Sequence, residues 1–153
     1  MNAVRPWLWV GKLAETLYAE PLQNAGIGAV LQLAHRVPYQ DIAFRYLRVD
    51  DGQPLPSETL ARGVAFVREQ QVEGKTVLVA CGRGVSRAAT FATAVLKETE
   101  GLGLLEAFRH VNEARREARI HPVLWASLCA YYGEEVPFVE MLRACRPQPT
   151  PWR

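Results

Sequence analysis

The segment Val77-Leu78-Val79-Ala80-Cys81-Gly82-Arg83-Gly84-Val85-Ser86-Arg87-Ala88-Ala89-Thr90 joins an unbroken apolar run to a glycine-bearing turn and then to helix-forming residues. Thr76 to Ala80 is short, continuous and β-branched-rich, the pattern of a strand covered on both faces in a parallel sheet. Such a strand delivers Cys81 to the carboxyl edge of the sheet, where open α/β sheets bind ligands. Gly82 and Gly84 let the backbone curl so that successive N–H groups can converge on one anion. A helix starting near Ser86 would add its own free N–H groups and positive end to that site.

The residue types in this turn suit phosphoryl chemistry. A thiol is a poor nucleophile until it ionises, and a helix N-terminus with a nearby guanidinium favours the thiolate. Arg87, six positions after Cys81, can fold back and hold two oxygens of a phosphate, most strongly as charge spreads in the transition state. Ser86 has a hydroxyl suited to ordering the turn. A cysteine and an arginine at this spacing are weak evidence alone, and a cysteine ending a strand is often an inert core residue. The two glycines and the following helix favour the chemical reading.

Outward from this segment, strands alternate with helices and then give way to helices alone. Trp7 to Val10 reads as a strand ended by Gly11, and Ala14 to Asn24 as a helix closed by Gly26 in a left-handed conformation. Ile27 to Leu33 and Phe44 to Val49 are two further strands, with a surface loop over Ala34 to Asp41. Asp50 to Pro56 is a loop dense in turn residues, after which Ser57 caps a helix running to about Gln71. Past the cysteine turn, helices are predicted over about Arg87 to Thr99, Leu104 to Ala118 and Pro122 to Tyr132, with a short one at Phe138 to Leu142. The expected fold class is α/β, a central mostly parallel sheet of about four to five strands flanked by helices. Residues 1–146 read as one catalytic domain. Residues 147–153, with three prolines in seven positions, read as a mobile tail.

Composition narrows the function classes. The 153 residues carry a formal net charge of +2, too even a balance to argue for nucleic acid or an anionic membrane. No apolar run approaches the length needed to span a bilayer, and no signal peptide is evident. Three cysteines, Cys81, Cys129 and Cys145, are an odd number without zinc-site spacing, which suits a reduced cytoplasmic setting. No nucleic-acid or membrane partner is expected, and the chain reads as a monomer.

The segment around Cys81 resembles the signature loop of the dual-specificity and related protein tyrosine phosphatases, His-Cys, five residues, Arg, then Ser or Thr. The likeness extends to Trp7-Leu-Trp-Val-Gly-Lys-Leu-Ala, to Tyr46-Leu-Arg-Val-Asp-Asp-Gly52 and to Arg115 through Leu128. It implies a metal-free hydrolase acting on phosphorylated protein or another phosphomonoester through a phosphocysteine. Gly82, Arg83, Gly84, Val85, Ser86 and Arg87 would form its phosphate-binding loop. Two positions depart from the family pattern. Ala80 stands where the family has His, and Ala88 where it has a hydroxyl that donates to the departing thiolate. The second departure implies slow breakdown of the intermediate, with Thr90 the nearest alternative hydroxyl. The phosphatases of regenerating liver also carry Ala after the Arg, beside a similar Asp-Asp-Gly.

Ester cleavage needs a proton for the leaving oxygen, normally from a separate loop. Asp50 and Asp51 both sit in a loop at the right sheet edge, and both are also ordinary turn residues. The family pattern favours Asp51, directly before Gly52, with Asp50 as runner-up. Arg83 can meet anionic substrate or be a solvated arginine. Arg109, Arg115, Arg116 and Arg119 read as a solvated helix face, with Arg115 or Arg116 as a possible tie to the loop. His35, His110 and His121 read as surface or packing residues, with support of the phosphate loop as a second reading for His121, just before Pro122. Cys129 reads as core and Cys145 as incidental. Two other classes stay open on the residues: a sulfurtransferase or arsenate reductase on a similar loop, and a phosphate-binding module without turnover. Substrate identity, from phosphotyrosine to lipid, nucleotide or RNA phosphate, is not legible.

Overall fold

The structure, a computed structural model, describes residues 1–145; the tail expected at 147–153 lies outside them. Five strands form one sheet: β1 (Asn2–Arg5), β2 (Leu8–Lys12), β3 (Ile27–Gln32), β4 (Ala43–Tyr46) and β5 (Thr76–Cys81), in the order β1-β2-β5-β3-β4. β5 lies at the centre, parallel to β2 and β3, and β4 continues parallel to β3; β1 alone runs antiparallel. The mostly parallel sheet of about five strands is therefore as expected. All four parallel strands deliver their carboxyl ends to one edge, where Lys12 stands opposite Cys81.

The apolar run of β5 is explained by two separate cores. Val77, Val79 and Cys81 pack with Val10, Leu31 and the helices on one face, whereas Leu78 and Ala80 pack with Leu22, Val30 and Ile42 on the other. Side chains alternate across a strand, so a strand covered on both faces must be apolar throughout. The first face carries α2 (Ser57–Val72), α3 (Arg87–Glu100), α4 (Leu104–Ala114), α5 (Pro122–Tyr132) and α6 (Phe138–Ala144); the second carries α1 (Ala19–Asn24). Close packing of α2 on α3 needs Gly63, because a Cβ there would fall 2.3 Å from the Phe91 ring.

Several boundaries differ from the sequence reading. β1 was not foreseen, since Asn2 to Arg5 lacks the apolar alternation of a strand. Gly11 lies inside β2 instead of ending it. The helix expected over Ala14 to Asn24 is split into a 3-10 turn at Leu13–Thr16 and α1. Pro21 accounts for the break, because its ring would clash with the carbonyl of Leu17 in a continuous helix. Ser57 is the first residue of α2 and makes no cap bond, Pro56 standing at the cap. α4 stops at Ala114 rather than Ala118. There Asn112 Nδ2 donates to the carbonyls of Arg116 and Ala118, holding the following turn out of helix.

Candidate active site

Cys81 ends β5 with 2% of its surface exposed, and its Sγ accepts from the N–H of Ala88 at 3.4 Å. That N–H belongs to the first turn of α3, one of the donors that a helix start leaves without an internal partner. Between them, Gly82 to Ser86 form the curl. Gly84 has φ +67°, and a Cβ there would stand 2.6 Å from the Gly11 carbonyl oxygen, so conformation and space both require glycine. The curl is anchored to the neighbouring strand end, with Leu13 N donating to Gly82 O at 3.3 Å.

Cys81, Arg83, Val85, Ser86, Arg87 and Asp51 line a pocket of about 100 Å³. Arg87 folds back as its position suggests: Nη1 donates to the carbonyl of Val49 at 3.0 Å, and Nη2 lies 3.0 Å from where a Gly82 Cβ would be. Its guanidinium thus ties the cysteine loop to the segment that leads from β4 into the acidic loop. Asp51 and Asp50 part company here. Asp50 turns out to pair with exposed Arg48 at 3.3 Å, whereas Asp51 Oδ1 accepts from Ser86 Oγ at 2.9 Å. Ser86 Oγ in turn accepts from the main-chain N–H of His121 at 3.0 Å. The Arg83 side chain is exposed at the mouth of the pocket.

Of the two readings of Arg115, the tie to the loop holds and the solvated face does not. The residue is 5% exposed, with Nε donating to Gly84 O at 2.7 Å, Nη2 to Arg83 O at 3.2 Å and Nη1 to Asn2 Oδ1 at 2.7 Å. Arg119 N adds a bond to Val85 O at 2.9 Å. The turn after α4 therefore holds the outside of the cysteine loop. Ala80, at the position where the family pattern has His, faces the opposite core and leaves the loop without a side chain from there. Asn2 and the Val49 carbonyl are contributors that sequence reasoning missed. Neither has a motif, since one acts through an edge strand and the other through its backbone.

The other cysteines are placed apart from the pocket lining. Burial pushes the Cys129 and Cys145 thiols up from their ordinary value, which keeps them protonated. A larger apolar groove of about 660 Å³, between α5 and Val136–Phe138, contains Cys129 but no cation to grip an anion. Among the described residues no cluster of His, Cys, Asp and Glu could hold a metal ion. No helix among them is long and apolar enough to cross a membrane.

Known proteins are similar to this chain in sequence and fold. The family model of the dual specificity phosphatase catalytic domain matches residues 8–134. Dual specificity protein phosphatase 12 of Rattus norvegicus is 32% identical over 125 residues, covering 77% of this chain and 37% of that protein. Dual specificity protein phosphatase 2 of Homo sapiens is 32% identical over 116 residues, covering 73% and 37%. The chain thus spans little more than a third of the length of these relatives. The crystal structure of human DUSP28 superimposes with a TM-score of 0.79 at 28% identity, covering 87% of this chain and 96% of that one.

Proposed function

Because this chain belongs to the dual specificity phosphatase family, we propose that it hydrolyses phosphomonoesters, phosphorylated protein above all, through a phosphocysteine formed on Cys81. The observation that carries the reading is the convergence of the Cys81 thiol, the Arg87 guanidinium and the Asp51 carboxylate on one small pocket. In the first step the Cys81 thiolate attacks phosphorus, the ester P–O bond breaks, and Asp51 gives its proton to the leaving oxygen. Arg87 and the N–H groups of the loop from Gly82 to Arg87 hold the non-bridging oxygens as charge builds on them. In the second step water attacks phosphorus and gives a proton to Asp51. The S–P bond breaks, releasing phosphate and restoring the thiolate.

Residues 1–146 act as the single catalytic domain in this reading, working as a monomer without metal or organic cofactor. A thiolate nucleophile and three free cysteines suit a reducing compartment, so we place the activity in the cytoplasm. Turnover of 4-nitrophenyl phosphate by the wild type, abolished in Cys81→Ser while tungstate still binds, is the expected result. Oxyanion binding without turnover in the wild type would leave a phosphate-binding module instead. Activity toward thiosulfate or arsenate alone would move the chain to another reaction. Capture of phosphorylated substrates by Asp51→Ala would then identify the substrate class.

A further inference from the structure

We propose that His121 is a positioning residue for Asp51: its main-chain N–H aims the Ser86 hydroxyl at the Asp51 carboxylate, and its ring braces the backbone of Gly52. The inference rests on the phosphatase reading above for its kinetic consequence, but not for its structural one.

The geometry around Ser86 leaves one arrangement. A serine hydroxyl has a single hydrogen and two lone pairs. Ser86 Oγ accepts from His121 N at 3.0 Å, so its hydrogen is free to point at Asp51 Oδ1, 2.9 Å away. A donor that is itself accepting a hydrogen bond donates more strongly. The chain from His121 N–H through Ser86 O–H to Oδ1 thus fixes the carboxyl in rotation. It occupies Oδ1 and leaves Oδ2 to carry the proton for the leaving oxygen.

The ring supplies the second contact. His121 stands at the N-cap of α5, and its Nδ1 accepts from Val123 N at 3.1 Å. In the neutral ring that bond puts the proton on Nε2. Nε2 is the ring atom nearest to the space in front of Gly52, 3.4 Å from where a Cβ there would stand. Gly52 has φ +82°, so the turn that carries Asp51 presents a bare backbone to the imidazole. The loop is thereby flanked on both sides: Arg87 donates to the Val49 carbonyl before Asp51, and the His121 ring faces Gly52 after it. A misplacement of about 1 Å in such a group can cost on the order of 10²-fold in rate.

His121→Asn separates these contributions, because asparagine is among the best N-cap residues and retains the main-chain N–H. The expected result is a melting temperature near that of the wild type and faster amide hydrogen exchange across Asp50 to Gln53. Activity on phenyl phosphate, a poor leaving group, should fall about tenfold, with little change on 2,4-dinitrophenyl phosphate. His121→Ala should add a fall in melting temperature from the lost cap. Unchanged exchange at Asp50 to Gln53 in His121→Asn would overturn the proposal, as would equal losses on both esters. Faster exchange in a chain that turns over neither ester would uphold the positioning role and reject the phosphatase reading.

Discussion

The N–H of Ala88 donates to Cys81 Sγ at 3.4 Å, at the residue whose side chain has no donor to offer. Thr90, the nearest hydroxyl on α3, is committed elsewhere, donating to the Ser86 carbonyl at 2.9 Å. In the proposed mechanism, the thiolate leaving the phosphocysteine therefore has a backbone donor but no hydroxyl. Rapid mixing with an activated aryl phosphate should show a burst of phenol approaching one equivalent, then a slower steady rate. Ala88→Ser should raise the steady rate about tenfold and shrink the burst, since a hydrogen bond to a charged group is worth about 1.5–3 kcal/mol. No burst, with a steady rate unmoved by the serine, would mean that the amide alone suffices.

Asp51 and Asp50 are adjacent in sequence but engage different partners, Ser86 in the pocket and Arg48 outside it. Asp51→Asn should lower kcat on phenyl phosphate by on the order of 10²-fold or more, and Asp50→Asn by less than about threefold. The Asp51 deficit should diminish as the leaving group improves. Comparable losses at the two positions would remove Asp51 from the acid role.

Arg87→Lys tests the guanidinium. A lysine has one donor centre, so it cannot both hold Val49 O and grip two phosphate oxygens as a planar fork does. Activity should fall by on the order of 10³-fold, with weaker tungstate binding in calorimetry. Retention of most activity would show that the loop amides alone carry the phosphate.

Much of this site was legible because its signals are local. The apolar run of β5, the glycines of the curl and the start of α3 at Arg87 are written into neighbouring residues. The preference for Asp51 over Asp50 came from the family pattern alone, because no local signal says which carboxylate meets Ser86, 35 or 36 positions along the chain. Arg115 was only one of two candidates for a tie to the loop, for the same reason. As a charged residue following an amphipathic helix it reads as solvated, yet its partners are carbonyls some thirty residues away and Asn2 at the chain's start. β1 has no apolar alternation because it is an edge strand.

Arg115→Met should loosen the cysteine loop. The substitution leaves the carbonyls of Gly84 and Arg83 without their guanidinium partner in a buried setting. A loss of about 3 kcal/mol in stability is expected, measured by urea unfolding, together with weaker oxyanion binding. Asn2→Ala, which removes only the outermost bond, should cost about 1 kcal/mol. Full stability and binding in Arg115→Met would show that the contacts from Arg119 N and Leu13 N hold the loop by themselves.

Glu134 links three elements, and its effect should depend on pH. Its Oε1 accepts from Leu104 N at the start of α4 at 3.1 Å, and its carboxylate pairs with Lys97 of α3. Burial alone would raise the carboxyl, but the bonds from Lys97 and from Leu104 N, with the lysine charge, hold it below the usual 4.5. A carboxyl lowered on folding stabilises the fold when ionised. The contribution is complete above the usual value and disappears as pH falls through the lower folded value. Glu134→Gln keeps an acceptor for Leu104 N but discards the charge. It should lower stability by about 1 kcal/mol at pH 7, a shift in Tm of about 2–4 °C for a chain of this size. The gap between variant and wild type should narrow progressively once the pH is taken below the usual glutamate range. A gap that stays constant from pH 7 to pH 3 would show that shape, and not charge, is what Glu134 contributes to the junction of α3, α4 and the end of α5.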